Sequence, residues 1–136
     1  MKINGIELKW LGHSGFQIKN HRVIYIDHYN INDGLEKADI VLITHRHYDH
    51  CSFADLDKII QEGTRIIAPA ACQSTIAKFK IPLKIELVEP NQEFELGDLK
   101  ISTLPSYNID KHFHPQSEGW VGYVMKIGDI IIYHSG

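Results

Sequence analysis

Residues 39 to 44, DIVLIT, contain four consecutive apolar side chains, three of them β-branched, with no polar face between them. A run this short and this branched favours a strand over a helix, and apolar residues on both sides of a strand require burial on both. Six strongly polar residues, HRHYDH, follow at once. Behind them the pattern predicts a helix from about Phe53 to Gln61, opened by Ser52 as N-cap and closed by Gly63. A strand from Arg65 to Ala68 and a helix from about Ala70 to Phe79, ended by Pro82, continue a strand-loop-helix rhythm. Three short antiparallel strands are expected earlier, through Ile3 to Leu8, Phe16 to Ile18 and Val23 to Ile26, with Gly12, Gly15 and Asn20 as punctuation. Beyond Pro82 the chain reads as β: Lys84 to Val88, Glu93 to Leu96, Leu99 to Leu104, Trp120 to Ile127 and Asp129 to Tyr133. Gly97-Asp98 and Gly128-Asp129 are hairpin signals, the second in the reverse of the order that favours type I′. The reading is one α/β domain over residues 1–136, without repeat or linker.

Composition removes several classes of function. An apolar fraction of 43% with 23% charged residues describes a folded chain. At 136 residues it can bury roughly two-thirds of its unfolded surface without disulfides. Cys51 and Cys72 form no disulfide framework, so a reducing cytoplasm is the expected compartment. The opening MKINGIELKW reads as no leader, and no run of eighteen apolar residues occurs, so no membrane span is expected. A net charge of -3 without a Lys/Arg cluster gives no footprint for nucleic acid, which is not an expected partner. What needs explaining is the nine histidines.

In an extended segment residues i and i+2 share a side, so His45 and His47 can offer two imidazoles to one metal ion. Asp49 and His50 fall where the loop turns into the helix and can serve a second ion a few ångströms away, the two ions sharing a hydroxide. At this chain's own His and Asp frequencies, four such fixed positions arise by chance in roughly one chain of this length in 400.

The H-x-H-x-D-H loop after a buried strand resembles the signature of the metallo-β-lactamase superfamily, an αββα sandwich of metal-dependent hydrolases. WLGHSGF at 10–16, YIDHYN at 25–30 and the stretch from Leu104 to Gly136 resemble a narrower branch that includes ascorbate 6-phosphate lactonase. The resemblance implies that His45, His47 and a third histidine hold a first metal. His112 and His114 both offer themselves, and the phrase FHP favours His114. Asp49 and His50 would belong to the second metal, with Asp49 also holding or deprotonating the attacking water, which makes it the catalytic residue. Asp27 would orient a ligand or the loop backbone. His28 stands where the family usually has proline, and His134 lies in the lead-in to a further ligand. Trp120, Val121, Tyr123 and Val124 read as strand core.

Two departures qualify what is implied. A complete member has two βα halves, whereas this chain ends at YHSG, one residue before the aspartate that bridges the two metals, and a last histidine ligand has no counterpart. The expected fold is therefore an α/β sandwich truncated to about its first half, a mixed sheet with helices on one face. The sheet's other face is expected to lack its usual covering, which predicts a homo-oligomer or a complementary half as partner. The functional expectation is hydrolysis of an ester, lactone or phosphoester in a small-molecule substrate, with one or two zinc ions, manganese and iron being compatible with the same ligands. The rival is a half-domain that binds metal or oligomerises without catalysis. A nuclease is disfavoured by the lack of a basic groove.

Overall fold

Ile40 and Leu42 enter one hydrophobic core while Val41 and Ile43 enter another, which explains why the DIVLIT run has no polar face. The computed structural model describes residues 1–12, 15–28, 34–44, 53–105 and 121–134. A seven-stranded mixed sheet is formed by β1 (Lys2–Ile3), β2 (Ile6–Gly12), β3 (Gly15–Lys19), β4 (Val23–Ile26), β5 (Ile40–Leu42), β6 (Arg65–Pro69) and β7 (Lys84–Val88). The strands lie in chain order, antiparallel from β1 to β4 and parallel from β4 to β7. A four-stranded antiparallel sheet is formed by β8 (Glu93–Leu96), β9 (Leu99–Pro105), β10 (Val121–Ile127) and β11 (Ile130–His134), in the order β11-β10-β9-β8.

Helix α1 (Phe53–Ile59) bridges β5 and β6 and buries Leu56 and Ile59 against Tyr25, Val41, Ile43 and Ile66. Both helical segments contribute to this one layer, as the pattern predicts. The second is shorter than expected. Instead of a helix over 70–79 there is a 3-10 turn, Ala70–Cys72, followed by a single α-turn, α2 (Gln73–Ile76). The backbone continues to wind with tight bonds, Lys78 N–H to Thr75 O at 3.3 Å and Phe79 N–H to Ile76 O at 3.2 Å. Ser74, Thr75 and Ile76 are weak helix formers, the first two because their hydroxyls compete for backbone groups.

Two further differences concern the strands. Ile3, Ile6 and Leu8 do not share one strand, because Asn4 (φ 48°) and Gly5 (φ 82°) make a two-residue hairpin turn that sets Ile3 opposite Ile6. Positive φ at both central residues is the type I′ requirement, and Asn-Gly is its favoured pair. At Gly97-Asp98 and Gly128-Asp129 only the glycine has positive φ, which fits type II′ and resolves the reversed order.

The expectation of an uncovered first sheet is corrected by the second sheet. Ile24, Ile26, Ile40, Leu42 and Ile67 pack against Leu99, Ile101, Val121, Tyr123, Met125 and Ile127. Strands β8 to β11 thus form a covering layer within this chain. Each of these fully buried side chains is worth roughly 1.5–3 kcal/mol. At the end of the sandwich near the β8–β9 turn, Arg22 ties the sheets together, donating to Leu96 O and to Asp98 Oδ1, both at 2.6 Å. The Arg22 guanidinium holds the Asp98 carboxyl below its ordinary value. Ile131 and Tyr133 stand on the outer face of the second sheet, 66% and 61% exposed.

Candidate functional site

At the opposite end the strands deliver a cluster of polar groups around the last residue before HRHYDH. Asp27 follows β4 directly, is fully buried, and has a left-handed backbone (φ 48°). Asp is one of the few side chains that tolerates this conformation. The Asp27 N–H donates to Leu42 O at 3.0 Å, and the carboxylate faces β5. There Oδ1 accepts the Thr44 N–H at 2.9 Å and Oδ2 accepts the Thr44 hydroxyl at 2.8 Å. The remaining backbone group of Thr44, its carbonyl, accepts the Val121 N–H from β10 at 3.1 Å. Thr44 is therefore fixed by both sheets. Asp27 thus holds Thr44, the residue immediately before HRHYDH.

Three other groups complete the cluster. His134 Nδ1 lies 3.6 Å from Asp27 Oδ2, and its ring meets Phe16 edge-on at 5.8 Å. The Tyr123 hydroxyl donates to Ile43 O at 2.7 Å and lies 3.2 Å from Ile67 O. Burial, reinforced by the negative charge of Asp27, pushes the Tyr123 phenol well above its ordinary 10.0, so it stays a neutral donor. His28 is fully buried beside Asp27 in the chain.

Gly15 explains how Asp27 is accommodated. A Cβ there would stand 2.9 Å from the Asp27 carbonyl oxygen and 3.5 Å from the His28 Cα. Both atoms are backbone, and the Asp27 N–H is tied to Leu42 O. Gly15→Ala is expected to cost about 1–3 kcal/mol, read as a lower urea midpoint. An unchanged midpoint would show that the Asp27 turn can yield.

His45, His47, Asp49, His50, His112 and His114 lie outside the described residues, as do His13, Tyr107 and Asn108. Among the described residues no group of three or more His, Cys, Asp or Glu side chains is placed to hold a metal ion. What the structure brings together is the frame on which the two histidine-bearing segments are mounted. Segment 45–50 begins next to Thr44, and segment 106–120 ends next to Val121. Sequence reasoning did not single out Thr44, Gly15 or the Tyr123 hydroxyl. The first stood in plain view as the polar end of the DIVLIT run.

The family described as the beta-lactamase superfamily domain matches residues 7–136. The chain belongs to the beta-lactamase superfamily. This superfamily chain is 32% identical over 134 residues to a UPF0173 protein of Pyrococcus abyssi, covering 96% of itself and 60% of that relative. It is 27% identical over 142 residues to a UPF0173 metal-dependent hydrolase of Pyrococcus horikoshii, covering 96% and 61%. A solved structure from Parabacteroides distasonis, a protein provisionally assigned as a metal-dependent hydrolase, superposes with a TM-score of 0.80 at 22% identity, covering 96% of this chain and 60% of that one. The fold is thus the metallo-β-lactamase sandwich, and this member spans about 60% of the length of the curated relatives it matches.

Proposed function

We propose that this chain carries the metal-binding portion of a hydrolase acting on an ester, lactone or phosphoester of a small molecule. The observation that carries the reading is the fixing of Thr44 by Asp27 and Val121, immediately before the sequence concentrates imidazole and carboxylate donors in HRHYDH. A loop intended for ligands needs such a fixed origin, since ligand geometry is set by the groups behind it. The donors are nitrogen and oxygen types, which suit zinc and also manganese or iron. His45, His47 and His114 would hold a first ion, with Asp49 and His50 toward a second. When bound, such an ion lowers the pKa of water towards 7 and so supplies hydroxide. Asp49 would hold the attacking water through its carboxylate and accept a proton there. Hydrolysis then consumes one water and yields an acid and an alcohol.

Names of relatives, several of which read metal-dependent hydrolase, support the same reading. Protein purified without chelator is expected to carry about one equivalent of transition metal and to hydrolyse members of a lactone, ester and phosphodiester panel with zinc or manganese added. Less than about one tenth of an equivalent would overturn the metal reading, because ligands of this kind retain their ion through purification. The chain's span of about 60% of its relatives favours a second reading, a module that binds metal without turnover. Metal uptake with no activity across the panel selects it.

A further inference from the structure

Among the described residues, the parallel ladder offers the carbonyl of Ile43 no donor in its own sheet. In the parallel ladder between β5 and β6 the Arg65 N–H donates to Asp39 O at 3.0 Å, and the Ile43 N–H donates to Ile67 O at 2.9 Å. Continued by the same step of two, the ladder assigns the backbone nitrogen of residue 69 to Ile43 O. Residue 69 is proline and has no N–H. Ile43 is fully buried, and a buried carbonyl must find a partner inside the protein. The partner comes from the other sheet, as the Tyr123 hydroxyl at 2.7 Å.

This bond lies close in sequence to both of the stretches that the metal reading requires to meet. His45 is two residues beyond Ile43, and Val121, where segment 106–120 with His112 and His114 ends, is two residues before Tyr123. Apolar packing of β10 on the first sheet is not directional, and the Val121–Thr44 bond alone gives one polar contact at this end. The Tyr123 hydroxyl adds a second polar contact, two residues along β10 and one residue back from Thr44, and so fixes the orientation at this end.

We infer that Tyr123 is a positioning residue whose hydroxyl sets β10 against the end of β5 and thereby fixes the relative placement of Thr44 and Val121, the residues from which the histidine-bearing stretches 45–50 and 106–120 depart in the sequence. The inference rests on the metal reading above and adds to it a residue that is no ligand. Pro69 is its counterpart: by withholding a ladder donor it makes the cross-sheet bond obligatory.

The test uses the 136-residue chain with cobalt(II) as the probe, affinity read by competition with a chromophoric chelator and geometry by the visible absorption of the bound ion. Tyr123→Phe removes only the hydroxyl. It is expected to weaken cobalt binding about 10-fold or more and to change the absorption band. Tyr123→Phe combined with Pro69→Ala returns a ladder N–H to Ile43 O, so thermal stability should recover towards wild type while cobalt affinity stays low. The double variant also carries the comparison if the single one does not fold. Wild-type affinity and spectrum in Tyr123→Phe overturn the inference. So does a double variant that regains affinity together with stability, because the hydroxyl would then serve only to satisfy a carbonyl. A wild-type chain that takes up no cobalt overturns the metal reading itself, and is told apart by failing before any substitution is made.

Discussion

Replacing Asp27 by alanine is expected to remove about 4 kcal/mol of stability, the largest loss from any single side chain at this end of the sandwich. The carboxylate is the acceptor of two donors on Thr44, at 2.9 and 2.8 Å, and is itself fully buried. Hydrogen bonds to a charged group contribute about 1.5–3 kcal/mol each, and the lower figure applied twice already gives about 3. Alanine at a φ of 48° adds about 1–2 kcal/mol of backbone cost that aspartate escapes. Domains hold only about 5–15 kcal/mol in total, so the variant should be marginal at 37 °C. Asp27→Asn keeps the tolerated backbone and one acceptor oxygen, and should lose about half as much. Urea unfolding of both variants gives the comparison. A loss under about 1 kcal/mol for alanine would mean that Thr44 is held by the sheet ladder alone and that the carboxylate is incidental.

How much of this was legible beforehand depended on whether a feature is local. DIVLIT reads as a strand buried on both faces because four adjacent residues carry the whole signal, and Ile40 and Leu42 do part company with Val41 and Ile43. Asn4-Gly5 was equally local and was obscured by Ile3, Ile6 and Leu8, whose spacing imitates one continuous strand. The hairpin puts Ile3 across from Ile6 instead. Each strand after Pro82 could be read from its own alternation. That β8 to β11 would cover the first sheet could not, since alternation tells which face is buried and not what buries it. Tyr123 reads correctly as strand core, yet the task of its hydroxyl is set by Pro69, remote in sequence and adjacent only through two sheets. The same limit holds for the site. HRHYDH is visible as a motif, whereas the fixing of its origin by Asp27, Thr44 and Val121 is a property of three strands brought together.

His47→Ala should show the opposite balance, with metal binding and activity lost while the fold is kept. On the proposed site it removes one imidazole of the set His45, His47 and His114. Loss of a group that merely supports a ligand costs roughly 10–100-fold in affinity, so loss of the ligand itself should exceed about 100-fold. Hydrolysis should fall to background with it, because without the ion the attacking water returns to its ordinary, far higher pKa and supplies no hydroxide near neutral pH. Stability without metal should not change by more than about 0.5 kcal/mol. Thr44 is anchored through Asp27 and Val121. The decisive measurement is therefore the metal-dependent part of stability. With free zinc at about 100 times its Kd, wild type should gain about 2.7 kcal/mol, whereas His47→Ala should gain a few tenths at most. Asp27→Ala would lower the metal-free baseline, and His47→Ala would leave that baseline and erase the gain. If His47→Ala keeps both its zinc-dependent gain and its hydrolysis, His47 is no ligand, and the hydrolysis does not come from the HRHYDH loop.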